Sequence, residues 1–414
     1  MFSRSDKVIS YFLLASIFTT AITVVPEPRL PLSYFLAGFA LLFLVLYRRR
    51  QYFRKKYLLY ALLCFGFHGV LCLTIGSTEL DLFIPTLGLT VVLYLAFYLL
   101  ISKVPSHIEI VRCYVKICFV VALIGLFQYL SYLVEFDLGH DYRSFLATKS
   151  PLGGFFGIRL ASMLSEPSHV AYCLSPAIAL ATFRLVKIQT PFISLPQACV
   201  IILFAVLSQS TTVYVLVALS FLSVMFVRKG KIPLVASVLV AILLFSSSIL
   251  NSGLLAGSLF RFTDLYTLFT AGLDAGAVNA SSFTSYFNLH VAMENLRASY
   301  LFGGGIGSHA LVFDDVYGRA SYLANAYTRV SAGSLFNRLI SELGIFGITA
   351  VCALVYYGFK RLKQLDGLYL VLHISFGIGL VSFLIRQGTY AQYGLAFYLL
   401  MFVMIPKLRL DTRR

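Results

Sequence analysis

The chain has 414 residues, 59% of them hydrophobic and 12% charged, with mean hydropathy +0.87 and a formal net charge of +16. A soluble domain carries about 25% charged residues, so this composition excludes an ordinary soluble fold and points to a polytopic membrane protein with apolar runs along its whole length. The positive charge does not indicate nucleic acid: it lies in clusters beside apolar runs, at 48–50, 54–56, 228–231, 360–363 and 407–414, with no recognition motif.

In chain order, the hydropathy pattern predicts an all-α transmembrane bundle of about twelve spans. They fall roughly at 8–25, 31–47, 57–76, 82–102, 113–133, 168–186, 192–208, 211–227, 232–250, 336–357, 368–386 and 390–406. Residues 1–7 followed by an apolar run without a small-residue cleavage site read as an uncleaved first span. With the N-terminus in the cytoplasm, the segments 48–56, 103–112, 184–190, 228–231, 358–367 and the C-terminal tail lie on one side, and all are basic. The loops near 26–30, 77–81, 209–210 and 387–389 lie opposite and carry little positive charge. That asymmetry places both termini in the cytoplasm. The chain reads as a single integral membrane domain over 1–414. No repeat relates its two halves.

Two outer loops are longer than connectors need to be, 134–167 and 251–335, and loops of that length are usually functional. The second is close to neutral and contains arginine but no lysine as its strong cation, which suits bidentate phosphate binding. Within it, "FNLHVAMENLRASYLF" predicts a short helix, with Leu289, Ala292, Met293, Leu296 and Tyr300 on one stripe and His290, Glu294 and Arg297 on the other face. A helix on the membrane surface with an ordinary Glu294–Arg297 pair is the plainer reading. The seven cysteines all lie in apolar runs, which indicates neither a disulfide framework nor a thiolate metal site. With no tryptophan, Tyr and Phe supply any aromatic belt.

Four places carry candidate chemistry. In "RLASMLSEPSHVAYCL", Pro167 suits the first turn of a helix and Ser165 or Glu166 its cap. The helix dipole then favours a charged Glu166, with His169 one turn further in. Ionisable groups at membrane depth are costly enough to suggest a role for Arg159, Glu166 or His169, against the alternative that Glu166 only caps and His169 fills a polar pocket. In "LFGGGIGSH", Gly303, Gly304, Gly305 and Gly307 allow amides to converge on an anion, although a flexible turn would look the same. In "LFNRLISELGIFG", Arg338 and Glu342 are four apart at the outer end of a span, and Arg386 ends the next one; a simple pair and a snorkelling side chain are the structural alternatives. Together, Arg159, Arg297, Arg338 and Arg386 face one compartment and suit an anionic, diphosphate-linked lipid.

"RLASMLSEPSHVAYCL", "NLRASYLFGGGIGSH" and "SLFNRLISELGIFGITAV", in this order, resemble the bacterial O-antigen polymerase and ligase superfamily over roughly residues 155–355. That family shows an arginine and "EPS" before a central span, a glycine turn in a large periplasmic loop carrying short helices, and "ELG" entering the next span. The resemblance implies a metal-independent glycosyltransferase without cofactor, in the bacterial inner membrane. It would polymerise undecaprenyl-diphosphate-linked oligosaccharide repeat units at the periplasmic face, beside membrane lipid and a chain-length regulator protein. Arg159, Arg297 and Arg338 would bind the donor diphosphate. Glu166 aligns with the family's glutamate, and His169 or His309 would help as general base. The ligases' "HN" pair has no counterpart in "LANAYTRVSAGSLFN", which leaves the base unassigned. In the mechanism this implies, arginines and glycine amides neutralise the leaving diphosphate. The base takes the acceptor proton, and the 251–335 loop holds the two substrates together, with Tyr300, Tyr317, Tyr322 and Tyr327 available for stacking on sugars. A ligase acting on lipid A-core and a flippase or transporter for the same lipid-linked sugars are the competing readings.

Overall fold

The computed structural model describes residues 3–25, 30–46, 56–144, 146–148, 157–227, 266–270, 278, 280–319, 329, 331–391 and 394–411. The chain opens with α1 (Arg4–Ala15), whose N-terminus is closed by a capping box: Asp6 N–H donates to Ser3 Oγ and Ser3 N–H donates to Asp6 Oδ2. The predicted span at 8–25 is not one helix. After α1 the chain turns and forms a two-stranded antiparallel ribbon of β1 (Thr23–Val25) and β2 (Leu30–Pro31). The cause is local: Thr19, Thr20, Ile22, Thr23, Val24 and Val25 are β-branched, and Pro26, Pro28 and Pro31 follow.

Helices then follow as α2 (Leu32–Leu46), α3 (Lys56–Ile75), α4 (Leu80–Lys103), α5 (His107–Leu133), the single turn α6 (Asp137–His140), α7 (Pro167–Leu185), α8 (Leu195–Leu207) and α9 (Thr211–Val227). The segment before the last three helices contributes α10 (Ala280–Ala298) and α11 (Ser308–Arg319). The chain closes with α12 (Leu335–Leu362), α13 (Gly367–Arg386) and α14 (Leu395–Asp411). Among the described residues, five helical stretches are long and apolar enough to cross a membrane: Leu58–Ile75, Leu80–Lys103, His107–Leu133, Leu335–Leu362 and Gly367–Arg386. Shorter apolar helices occupy Leu32–Leu46, Leu195–Leu207, Thr211–Val227 and Leu395–Pro406. The span predicted at 232–250 lies outside the described residues.

The centre of the bundle is α7. Every residue from His169 to Phe183 is buried, as expected of a helix apolar on all sides, and α8, α9 and α13 pack around it. The last helix starts at Leu395, five residues later than the predicted 390, and α13 is followed by non-helical backbone at 387–391.

The predicted span 336–357 also departs from regularity. Gly344 interrupts α12 at φ 56°, ψ −131°, a conformation open essentially only to glycine. The break leaves carbonyls of the first half-helix without intrahelical donors, and the glycine turn supplies them. Gly304 N–H donates to Ser341 O (3.0 Å), Gly305 N–H to Glu342 O (2.9 Å), and Ile345 N–H returns a bond to Leu301 O (2.9 Å). A Cβ on Gly344 would lie 2.1 Å from Leu301 O. Gly344→Ala is therefore expected to lower stability by at least about 2 kcal/mol through strain and the lost clamp, read as a drop in melting temperature of the purified protein in detergent.

Candidate functional site

Residues 158–166 reach the start of α7 along a fixed path. Gln128 of α5 holds them: its Oε1 accepts from Ala161 N–H (3.3 Å) and Ser162 N–H (3.1 Å). Ser162 Oγ donates to Val121 O at 2.7 Å. Glu166 is the residue at the N-cap position of α7 and Pro167 opens its first turn, but the Glu166 side chain makes no cap bond. Its Oε1 instead accepts from Ser168 Oγ and lies 3.3 Å from His169 Nε2. The other ring nitrogen, Nδ1, is 2.7 Å from Ser165 Oγ. With Nε2–H turned to the carboxylate, Nδ1 accepts the Ser165 proton. Carboxylate, imidazole and hydroxyl thus form a chain in which the acid orients the base. Tyr172, one turn on, has its ring 5.8 Å from that of His169, tilted by 44°, and feels the charges of both Arg386 and Glu166.

A second polar group sits in the first half of α12. Arg338 Nε donates to Glu342 Oε1 at 3.1 Å, and both side chains are nearly inaccessible, at 3% and 1% exposure. Glu342 Oε1 also accepts from Gly307 N–H at 3.0 Å. Arg338 Nη1 donates to Gly388 O (3.1 Å), and the guanidinium lies 4.3 Å over the Tyr390 ring. Glu342 Oε2 has no hydrogen-bond partner.

Helix α10 joins the two groups. Ser285 accepts from Arg386 Nη1 at 2.7 Å. One turn on, Asn288 Oδ1 is 3.0 Å from His309 Nε2. Asn295 donates to Ser308 Oγ (2.8 Å), Ser341 O (3.0 Å) and Ser341 Oγ (2.8 Å). On α13 and the loop after it, the Arg386 charge acts on Tyr172 beside His169, and Gly388 O accepts from Arg338. The two clusters therefore lie on neighbouring parts of one polar seam between α7, α10, α12 and the end of α13.

Several expectations are corrected by this geometry. The amides of Gly304, Gly305 and Gly307 donate to Ser341 O, Glu342 O and Glu342 Oε1, so the glycine turn docks onto α12 and does not present a free anion nest. Gly303 takes φ +82°, and a Cβ there would lie 2.5 Å from Gly344 N; glycine permits the close approach of two backbones. His309 is fully buried, with Nδ1 3.1 Å from Ser341 Oγ and Nε2 on Asn288, which leaves it no nitrogen for a substrate. Arg297 is 68% exposed and pairs with Glu294 at 2.9 Å, apart from the buried seam. Arg159 is half-buried and its charge acts on Tyr214 of α9. On α10, Ala292 and Leu296 are buried as predicted, whereas Met293 and Tyr300 are exposed and the inward stripe includes Asn288 and Asn295. Tyr322 and Tyr327 lie outside the described residues.

The residues that the sequence reading passed over are Ser285, Asn288, Asn295, Ser341 and Tyr390; Ser165 was read only as a possible cap. Asn288 and Asn295 carried a usable signal: two amides seven apart, two helical turns, on an otherwise apolar face.

Burial, and after it the nearby Arg338 charge, push the His309 imidazole down to about 3. An unfolded histidine titrates near 6.5, so below that pH the unfolded chain takes up a proton that the folded chain refuses until about pH 3. The stability that neutral His309 contributes is complete above 6.5 and is lost as the pH falls through this window, at up to about 1.4 kcal/mol per pH unit. His309→Gln keeps hydrogen-bonding capacity and removes the proton site. Its melting temperature is expected to fall less steeply with acid than that of the wild type.

No protein-family model matches the chain, and no curated protein matches it.

Proposed function

We propose that this chain is a bacterial inner-membrane protein of about twelve spans, with both termini cytoplasmic. On its periplasmic face it polymerises undecaprenyl-diphosphate-linked oligosaccharide repeat units into surface polysaccharide. The observation that carries the reading is the clamp between the glycine turn and the "ISELG" segment. Two stretches some forty residues apart, each resembling a motif of the O-antigen polymerase and ligase superfamily, close on each other around the buried Arg338–Glu342 pair.

In this reaction the acceptor hydroxyl oxygen attacks the anomeric carbon of the donor repeat unit. The bond from that carbon to the diphosphate oxygen breaks, and the diphosphate leaves with the electron pair. His169 takes the acceptor proton on Nδ1, the nitrogen that Ser165 now contacts, while Glu166 stabilises the imidazolium that forms. Arg386, at the end of α13 against Ser285, meets the diphosphate. Arg338 contributes from beneath through Nη2, which makes no hydrogen bond to a described residue. Arg159 and the exposed Arg297 approach the ligand from the surrounding surface. A chain-length regulator protein is the partner this role calls for.

The test is a reaction of purified protein with a synthetic undecaprenyl-diphosphate repeat unit, without ATP or added metal. A ladder of elongated products is expected. The break in α12 favours a second reading, since discontinuous helices line the binding sites of many transporters. Transbilayer movement of the lipid-linked sugar in vesicles, with no elongation, would establish that reading and remove the first. Transfer only to a lipid A-core acceptor would mark a ligase.

A further inference from the structure

Helix α3 turns one stripe to the bundle. Phe65, His68, Gly69 and Cys72 recur at helical spacing and are buried or half-buried, whereas Phe67, Val70 and Leu71 between them are exposed. Only 11% of Leu58–Ile75 is buried, the smallest share among the five long apolar helices. The stripe, with the corner 76–79 that leads into α4, meets the carbonyls of the glycine turn. His68 Nε2–H donates to Phe302 O (3.1 Å), Cys72 Sγ lies 3.8 Å from Gly303 O, Ser77 Oγ donates to Gly304 O (2.8 Å) and Thr78 Oγ1 to Ile306 O (2.6 Å). Gly305 O accepts from Ser308 Oγ at 2.7 Å. The carbonyls of residues 302 to 306 thus each face a donor, while the amides of Gly304, Gly305 and Gly307 are held by α12. The approach is close: a Cβ on Gly305 would lie 2.3 Å from Cys72 Cβ, and one on Gly307 2.7 Å from Leu82 Cβ of α4.

Two of these contacts reach the Arg338–Glu342 pair in one further step. Thr78 holds Ile306 O, and Gly307 N–H donates to Glu342 Oε1. That carbonyl and that amide belong to the same peptide unit, which is planar, so neither turns without the other. A hydroxyl fixed on the carbonyl therefore fixes the direction of the amide. Glu342 is 1% exposed and its Oε2 has no partner, so its carboxylate depends on the bonds to Oε1, from Gly307 and from Arg338. The other contact comes from Phe65. Its ring lies 5.3 Å from that of Tyr390 at 82°, and the Tyr390 ring carries the Arg338 guanidinium at 4.3 Å.

We propose that Thr78 and Phe65 are positioning residues for the Arg338–Glu342 pair. Thr78 sets the plane of the peptide whose amide holds Glu342, and Phe65 backs the tyrosine against which Arg338 lies. One member of the pair is approached through a hydrogen bond and the other through a ring, both from α3 and the corner behind it. Neither residue touches the pair itself, so each acts through a neighbour. The consequence for donor binding rests on the function proposed above; the hold on the pair does not.

Three measurements on the purified protein in detergent test this. Thr78→Val keeps the shape and removes the hydroxyl; Thr78→Ser restores it. Amide hydrogen exchange in peptides covering 303–307 is expected to quicken about two- to tenfold in Thr78→Val, the worth of one hydrogen bond, and to return in Thr78→Ser, with α8 unchanged in both. An unchanged rate at the turn, or an equal rise in α8, overturns the hold on the turn. With Arg338→Met and Glu342→Leu together there is no pair left to position, so Thr78→Val and Phe65→Leu are each expected to lower the melting temperature less in that background than in the wild type. Equal losses in the two backgrounds overturn the link to the pair. In the elongation assay, Thr78→Val and Phe65→Leu are each expected to raise the donor KM about two- to tenfold with kcat unchanged, and Thr78→Ser to restore it. A wild type that elongates while both variants keep its KM overturns the role in donor binding. A wild type that does not elongate overturns the proposed function, and the exchange and thermal measurements still decide the hold on the pair.

Discussion

Arg338→Ala is expected to lower stability by about 3–5 kcal/mol, the largest effect of any single side-chain truncation on the polar seam. The reason is what remains behind. Glu342 is 1% exposed and its Oε2 already lacks a partner. Without the guanidinium, Oε1 retains only the Gly307 amide, and a carboxylate stays buried with little to balance it. Removing both members differs from removing one. Arg338→Met with Glu342→Leu replaces the pair by apolar groups of comparable volume, and such replacements are often neutral or better. The double variant is therefore expected to recover most of the lost melting temperature while remaining unable to elongate the lipid-linked substrate. Arg338→Lys keeps a charge but not the planar fork that reaches Glu342, Gly388 and the Tyr390 face at once, so it should fall between wild type and Arg338→Ala. Equal destabilisation by single and double variants would show that the pair contributes through packing alone.

The parts of this fold that were legible in the sequence are those where one physical requirement dominates. Helices α3 to α5, α7 to α9 and α12 to α13 fall on apolar runs, because a long uninterrupted run has no comparable alternative to a buried or lipid-facing helix. Pro167 marked the start of α7 for a similarly simple reason. The first predicted span was misread because apolarity alone does not separate helix from extended chain. The β-branched run from Thr19 to Val25 and the prolines after it decided the matter. In the site, Glu166 with His169 and Arg338 with Glu342 were readable as i,i+3 and i,i+4 neighbours on a helix. The role of the glycine turn was not. Glycines that could cradle an anion and glycines that let two backbones touch have the same sequence, and only the position of Gly344 against Leu301 and Gly303 distinguishes them. Asn295 was missed because its three bonds reach Ser308 and Ser341, partners set by tertiary packing.

His169→Ala is expected to reduce kcat for elongation by about 10²–10⁴-fold, the usual contribution of a positioned general base, with membrane insertion intact. His169 holds Nδ1 on the half-buried Ser165 hydroxyl, whereas both nitrogens of His309 meet fully buried side chains, Ser341 and Asn288. The other nitrogen of His169 faces Glu166, which sits where the positive end of the α7 dipole favours a carboxylate. Glu166→Gln preserves shape and hydrogen bonding but removes the charge that stabilises the imidazolium, so its loss should be smaller than that of His169→Ala and should lie in kcat more than in KM. Ser165→Ala separates two roles of the hydroxyl: a wild-type rate means the acceptor hydroxyl takes its place at Nδ1, and a rate as low as that of His169→Ala means the proton passes through Ser165. The pH profile provides the decisive reading. A base loses rate in acid as it becomes protonated, so the acid limb of the wild-type profile should be absent from whatever rate His169→Ala retains. An unchanged acid limb in that variant would assign the proton transfer to another group, and the seam between α7, α10 and α12 would then be a scaffold beside the reaction rather than its site.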